Sequence, residues 1–208
     1  MFDTVYIIHR AIDTDRVTSE LTSSILNLSG SIQQIEPEPI HDDVSSYICM
    51  WTKNVNSRKA VISLFDTNIK LLERIVNQKL NNVLILEDDA IFVSGTATAR
   101  SALKRDLNED CWVHSLYHRM WKDRNIGAVA NYYPKWETTQ LLLNKLKQYS
   151  KEKKGRHRAW DIELDYMKKK YDLPFKYTNH FNHPINNVST LGNGKYNKAL
   201  FLKNNILI

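Results

Sequence analysis

Three adjacent carboxylates follow a run of four aliphatic residues near the middle of the chain. The acids are Glu87, Asp88 and Asp89, and the apolar run before them extends from Val83 to Leu86. Charges beside a buried strand must be solvated or paired. A hard divalent cation is a suitable partner, because Mg²⁺ usually takes one or two carboxylates and leaves its other positions to water and substrate phosphates. The cluster therefore predicts a metal site, with a solvated acidic turn as the alternative.

The elements around these acids predict an open parallel sheet. A short continuous apolar run is typical of a strand buried on both faces, and its carboxyl end is where open α/β sheets bind ligands. Thr4 to Ile8 is β-branched and aromatic and predicts a first strand, which would end at the polar pair His9 and Arg10. A helix from about Asn56 to Leu80 leads into the central strand, as in a crossover between parallel strands.

The remaining pattern predicts one α/β domain over residues 1–208, with a mixed, mostly parallel sheet flanked by helices. The helix at Trp136–Tyr149 should bury Leu141, Leu142 and Leu146. From Pro174 the chain is expected to be mostly loop. Further elements are predicted as helices at Asp13–Leu28, Thr96–Leu107 and from Trp160, and as strands at Ser31–Ile35, Cys111–Leu116 and Ile126–Ala130.

The composition is that of an ordinary globular protein with more basic than acidic residues. Hydrophobic residues make up 42% of 208, charged residues 25%, and the formal net charge is +6. The charge favours an anionic ligand, which could be a nucleotide diphosphate, a nucleic acid or a membrane headgroup. Two cysteines provide neither a disulfide framework nor a zinc cluster, which predicts a reducing, cytoplasmic location. No apolar run is long enough to predict an integral membrane segment.

The acidic stretch resembles a known signature. Val83–Ala90 is similar to the Leu-Ile-Leu-Glu-Asp-Asp signature of glycosyltransferase family 25, which includes lipooligosaccharide sugar transferases and related viral and collagen-modifying enzymes. Val5–Arg10 with the later Asp15-Arg16 resembles the family's opening strand, and Ile126–Ala128 resembles a later strand–helix unit. Lys59, Ala60 and Leu64 depart from the family's Gly-Cys-x-x-Ser-His segment. The resemblance implies a GT-A (Rossmann-like) fold, a nucleotide-sugar donor and an inverting transfer.

In such an enzyme a Mn²⁺ or Mg²⁺ ion would stabilise the leaving diphosphate. Asp89 is then the expected direct ligand, with Glu87 and Asp88 sharing the metal, its waters or the donor ribose. His183, with His180, would close the metal or diphosphate site. The residues expected to contact the nucleotide are Ile8, His9, Arg10 and Arg58. Arg58 would clamp the diphosphate, because guanidinium pairs bidentately with phosphate.

Inversion also requires a general base for the acceptor hydroxyl. Asp161 follows Trp160 at a helix start, where the indole could stack on a sugar, and Asp165 lies one turn further on the same face. Either acid could be the base. The alternative is a pair of acids that favour a helix N-terminus and a core tryptophan.

Two other functions fit part of the pattern. A sugar nucleotidyltransferase would share the metal and carboxylates but would be expected to have a glycine-rich phosphate loop, where this chain has His9, Arg10 and Ala11. A nucleic-acid-binding domain could use Lys151–Arg158 and Lys168–Lys170, but it would leave the acids unexplained. The expected partners are therefore a UDP-sugar and a saccharide acceptor, without nucleic acid. The Lys151–Arg158 loop is expected to be mobile without ligand.

Overall fold

A computed structural model describes residues 1–9, 28–39, 55–88, 90–92, 97–107, 109–121, 124–126, 129–152 and 158–182. Helices and strands alternate along most of this part of the chain. In order, they are β1 (Thr4–Ile8), β2 (Ile32–Ile35), α1 (Val55–Asn77), β3 (Val83–Glu87), β4 (Ile91–Phe92), α2 (Ala97–Asp106), β5 (Val113–Ser115), β6 (Arg119–Trp121), β7 (Arg124–Ile126), β8 (Ala130–Tyr133), α3 (Trp136–Glu152), α4 (Trp160–Tyr171), β9 (Phe175–Tyr177) and β10 (Phe181–Asn182).

The central sheet has six strands in the order β2-β1-β3-β8-β5-β9. β1 is parallel to both β2 and β3, and β5 is parallel to β9. β8 alone is antiparallel to its two neighbours in this sheet, β3 and β5, so the other five strands share one direction. The prediction of an α/β fold with a mixed, mostly parallel sheet flanked by helices is confirmed.

Side-chain alternation along the strands divides the core into two clusters. We call the side of the sheet that carries α1, α3 and α4 the helical face, and the other side the opposite face. The helical face buries Tyr6, Ile8, Val83, Ile85 and Tyr133 against Leu72, Leu146 and Met167 of the helices. The opposite face buries Val5, Ile7, Leu84, Leu86 and Tyr132 with Leu103 of α2, Phe92 and Phe181.

The first strands and the long helix α1 lie close to their predicted positions, whereas the second half of the chain differs in three places. Leu141 is 49% exposed, because the buried stripe of α3 runs through Leu142, Leu143 and Leu146. The segment from Ile126 to Ala130 is not one strand, since β7 ends at Ile126 and β8 begins at Ala130. The segment after Pro174 contains β9 and β10 rather than loop alone. The predicted helix before Leu28 lies outside the described residues.

Two small antiparallel pairs complete the described strands. β10 pairs with β4, so that Phe181 is opposite Phe92 and Asn182 is opposite Ile91. β6 and β7 form a hairpin between β5 and β8. Within the described ranges, no helix combines the length and apolar character needed to cross a bilayer.

Candidate functional site at the carboxyl edge of the sheet

The strand order reverses between β1 and β3. From β1 the chain goes outward to β2, then returns past β1 to β3, and continues towards the other edge of the sheet. In open α/β sheets the crevice outside the carboxyl ends of strands at such a reversal is the usual ligand site. The residues that follow β1 and end β3 therefore lie at the position where a ligand is expected.

His9 and Asp88 meet at this position. The parallel ladder pairs Ile8 with Glu87, so the next residue of each chain continues side by side. His9 Nδ1 lies 3.0 Å from Asp88 Oδ2, and the two side chains are 12% and 11% exposed. An ionised carboxylate can only accept a hydrogen bond, so with Asp88 ionised the imidazole Nδ1 carries the hydrogen. The His9 backbone N–H donates to Ile35 O at 2.9 Å and fixes the end of β1.

A tight turn follows β3 and places Glu87 and Asp88 at the edge. The Glu87 N–H donates to Val129 O at 2.9 Å, and the Ala90 N–H donates back to Glu87 O at 3.0 Å. The backbone on both sides of Asp88 is therefore fixed, with Glu87 half-buried, Asp88 largely buried and Ala90 buried.

Carboxylate oxygens are ligands that Mg²⁺ and Mn²⁺ accept. Glu87 and Asp88 are two adjacent carboxylates, which is within the one or two that Mg²⁺ commonly takes from a protein. The residues that the structure describes contain no group of three or more His, Cys, Asp or Glu side chains that could hold a metal. Asp89 and His183, which were predicted to complete the set, lie outside the described residues.

The chain returns to this edge at β10. Asn182 is opposite Ile91, which is three residues beyond Asp88 in the sequence. Phe181 is buried against Phe92, with ring centroids 5.4 Å apart. The described part of the chain therefore ends close to the acidic turn, one residue before His183.

The structure describes only some of the other residues that were predicted to contact the nucleotide. The Ile8 side chain is buried in the core of the helical face, so only its backbone faces the crevice end of the strand. Arg10 lies outside the described residues. Arg58 belongs to the first turns of α1, but the structure does not describe its side chain.

α4 directs its first turn towards the same edge of the sheet. It leads into β9, which is parallel to β5, so α4 runs back against the strand direction and begins on the carboxyl side. It also contacts β7. Asp161 is half-buried, and its Oδ1 accepts a hydrogen bond from the Ile162 N–H at 2.8 Å. Asp165 is 3% exposed and pairs with Lys169 Nζ at 2.9 Å.

Trp160 is a core residue. Its side chain is 1% exposed, and its ring packs edge-on against Phe65 of α1 with centroids 5.4 Å apart. The expectation that this indole stacks on a sugar is therefore wrong in this structure. A large aromatic at the first position of an amphipathic helix is buried by the neighbouring helix, which sequence spacing alone does not reveal.

Two histidines near β5 and β9 are bound within the fold. His180 Nε2 lies 3.1 Å from Asp106 Oδ2, and the His180 N–H donates to Leu116 O. Burial lowers the pKa of His180, although Asp106 opposes the shift. His114 is fully buried, and its Nε2 is 2.8 Å from Thr178 Oγ1. The described contacts of His180 are thus to Asp106 and Leu116.

Some of the cations that suggested a nucleic-acid surface pair with other side chains of the described residues. Lys168 Nζ lies 4.6 Å from the ring centroid of Tyr177, and Lys170 Nζ is 2.9 Å from Glu152 Oε2. Arg158 donates from Nη1 to the Tyr149 hydroxyl at 2.7 Å. Of the predicted mobile loop, Lys151 lies in α3, and residues 153–157 lie outside the described ranges, so the mobility of this loop stays a prediction.

Ser63 has a structural role. It stands where the resembled family has its serine, and its hydroxyl donates to Glu38 O while Thr67 Oγ1 accepts from the Glu38 N–H at 2.8 Å. These bonds attach the chain after β2 to α1.

Comparison with known proteins gives only remote structural likenesses. No family model matches the sequence, and no curated protein matches it. The chain is similar to a solved glycosyltransferase involved in the glycosylation of the major capsid of PBCV-1, with 9% identity, a TM-score of 0.49, and coverage of 86% of this chain and 83% of that one. It is also similar to A197 from STIV, with 12% identity, a TM-score of 0.40, and coverage of 89% and 87%.

Proposed function

We propose that this protein is a glycosyltransferase with a GT-A-type domain, which moves a sugar from a UDP-sugar to a hydroxyl of a saccharide acceptor with inversion. The observation that carries the proposal is the contact of His9 with Asp88 at 3.0 Å, beside Glu87, where the strand order reverses. This is the edge of an α/β sheet where a nucleotide is expected to bind. The sequence resemblance of the same acids supplies the reaction class.

Metal dependence follows from the donor set. Glu87, Asp88 and Asp89 would hold Mn²⁺ or Mg²⁺, with His183 next to the described end of β10. When bound, the ion would act as a Lewis acid that neutralises charge on the diphosphate. His9 holds one oxygen of Asp88, which fixes the direction in which the other oxygen faces.

The transfer step needs a base on the acceptor side. The acceptor oxygen attacks the anomeric carbon while the bond from that carbon to the diphosphate oxygen breaks, and the nucleoside diphosphate leaves with the electron pair. The acceptor proton goes to a carboxylate, for which we propose Asp161. Asp161 is half-buried at the start of α4, whereas Asp165 is nearly inaccessible and paired with Lys169.

Calorimetry with UDP tests the metal and nucleotide part of the proposal. We expect Mn²⁺ or Mg²⁺ to tighten UDP binding, and Asp88→Asn and Asp89→Ala each to remove that gain, because the acids would carry the ion. Glu109→Gln is the matched control, since Glu109 is an exposed acid away from this edge. Equal UDP affinity with and without EDTA would contradict the proposal.

Product analysis separates the transferase from the nucleotidyltransferase. A transferase releases free nucleoside diphosphate when nucleotide sugar and acceptor are supplied together. A nucleotidyltransferase instead releases pyrophosphate from a nucleoside triphosphate and a sugar phosphate. Pyrophosphate release without nucleotide-sugar consumption would replace the proposed reaction with the second one.

A further inference from the structure

The beginning of α4 is held in an unusual way. Residue 159, which precedes the helix, is alanine and provides no side-chain hydrogen bond to the first turn. Glu163 instead reaches backwards, and its Oε2 accepts a hydrogen bond from the Arg158 N–H at 3.1 Å. The chain entering the helix is therefore fixed by a side chain from the second half of the first turn.

Glu163 is poorly suited to its surroundings as a packing residue. It is 0% exposed, and its Oε1 has no hydrogen-bond partner among the described residues. Burial raises the pKa of its carboxyl, and the Arg158 contacts only partly offset that shift. An apolar residue of similar volume is often at least as stable as a buried ion pair. Packing alone therefore does not explain a carboxylate here.

Arg158 extends the contact to α3. Its Nη1 lies 3.5 Å from Glu163 Oε2 and donates to the Tyr149 hydroxyl at 2.7 Å, and its guanidinium carbon is 4.0 Å from the ring centroid of Tyr166. Tyr149 belongs to α3, whereas Glu163 and Tyr166 belong to α4. The guanidinium thus joins the end of α3 to the start of α4, and its planar form suits stacking and hydrogen bonding together.

We propose that Glu163 and Arg158 are positioning residues for Asp161 in the sugar transfer. This inference rests on the proposed function, in which Asp161 is the base. Asp161 lies two residues before Glu163, within the turn whose entry Glu163 fixes. A base acts only when its oxygen is within hydrogen-bond reach of the acceptor hydroxyl. The presence of a buried carboxylate at position 163 is therefore explained by the orientation that it gives to Asp161.

Substitutions at Glu163 separate positioning from stability. In Glu163→Met the buried carboxylate and its unpartnered oxygen are removed, so we expect the thermal unfolding midpoint to be retained. The turnover number should fall about 10–100-fold, since small displacements of reacting groups have effects of this order. UDP-sugar affinity should not change, because the donor lies at β1 and β3. Glu163→Gln keeps an oxygen acceptor for the Arg158 N–H and should recover part of the turnover.

Arg158→Lys provides the second test if Glu163→Met fails to fold, because Arg158 is partly exposed and lysine keeps a positive charge beside the buried Glu163 carboxylate. Lysine keeps the charge but loses the stacking and the fork of hydrogen bonds, so turnover should again fall with donor affinity unchanged. Lys145→Met is the matched control, because Lys145 Nζ of α3 lies 5.0 Å from the ring centroid of Tyr171, the last residue of α4. It should keep wild-type turnover.

The outcomes distinguish this inference from the proposed function. Wild-type turnover in both Glu163→Met and Arg158→Lys would overturn the positioning role while leaving the glycosyltransferase proposal intact. An equal loss in Lys145→Met would also overturn it, because the effect would then be general helix packing. A wild-type protein that consumes no nucleotide sugar with any acceptor would overturn the proposed function, and this inference with it.

Discussion

At the scale of single residues, Asp161 and Asp165 illustrate how one helical turn changes what a carboxylate can do. Asp161 is half-buried and uses one oxygen for the Ile162 N–H. Asp165 is buried and bound to Lys169. A base must reach a hydroxyl that arrives from outside, so the more accessible acid is the better candidate.

Asp161→Asn should therefore reduce turnover by about 10²–10⁴-fold, the usual contribution of general-base catalysis. UDP-sugar and metal affinity should not change, because the base touches the acceptor. Steady-state kinetics with calorimetry of donor binding measures both quantities. Asp165→Asn is the comparison, and it should lower stability more than turnover because it breaks the pair of a buried carboxylate with Lys169. Normal transfer by Asp161→Asn with an inactive Asp165→Asn would make Asp165 the base.

His114 is a buried histidine that sequence analysis did not single out. Burial lowers its pKa to about 4, helped by Lys176 and His180 and opposed by Asp106. Its Nδ1 has no hydrogen-bond partner among the described residues. The imidazole is therefore kept neutral on the opposite face of the sheet.

Stability should fall as the pH drops from about 6.5 to 4. The unfolded chain binds a proton at His114 near pH 6.5, whereas the folded protein resists protonation until about pH 4. Protonation of His114 in the unfolded chain therefore lowers the free energy of unfolding by about 3 kcal/mol between pH 6.5 and pH 4, and has no effect above pH 6.5. Urea unfolding at a series of pH values should show that the free energy of unfolding depends less on pH in His114→Gln. An unchanged pH dependence would exclude burial of His114 as the cause. The His180→Gln variant measures the contribution of the second histidine to the same pH dependence.

At the scale of elements, Trp160 is the largest side chain through which α4 packs against α1. Trp160 is buried against Phe65, and Leu164 and Met167 continue the same apolar side of the helix. Loss of the indole would leave a cavity between the two helices. The contribution of Trp160 to the fold can thus be measured as a change in the free energy of unfolding.

Trp160→Ala should lower the free energy of unfolding by about 3–5 kcal/mol, the usual cost of deleting a large buried aromatic. Leu141→Ala is the matched control, because Leu141 is a large apolar residue that α3 leaves half-exposed, and it should change stability by no more than about 0.5 kcal/mol. Chemical denaturation measures both. If Trp160→Ala were fully stable but bound saccharide weakly, the ring would instead contact a sugar.

Elements with strong patterns could be predicted from the sequence, and elements that depend on a neighbour could not. The aliphatic run Val83–Leu86 and the long apolar stripe of α1 are local signals, and both were interpreted correctly. β9 is a three-residue edge strand next to Pro174 that exists because β5 lies beside it. Leu141 was placed wrongly because three consecutive leucines blur the helical period.

In the candidate site, too, the residues could be predicted from local pattern, whereas their contacts could not. His9, Glu87 and Asp88 were selected from residue type and their positions after strands. Their contact depends on the register that pairs Ile8 with Glu87, and no local pattern encodes that register. The Arg158–Glu163 pair was missed for a similar reason, although an acid in the first turn of a helix without a capping residue at 159 was a usable signal.

At the scale of the whole molecule, the sheet collects its polar ends on one edge. Because five of the six strands share a direction, the residues after β1, β3, β5 and β9 all leave on the same side. β8 runs the other way and brings the β6–β7 hairpin to that side as well.

The contact between His9 and Asp88 joins residues 79 positions apart in the sequence, and this separation has a consequence for folding. Closing so long a segment has an entropic cost that only later contacts recover, and parallel pairing of distant strands is slow. During synthesis, β1 must wait for β3 to emerge before the last rung of their ladder can form. Nucleotide binding at this edge would therefore report a chain in which β1 and β3 have paired along their full length.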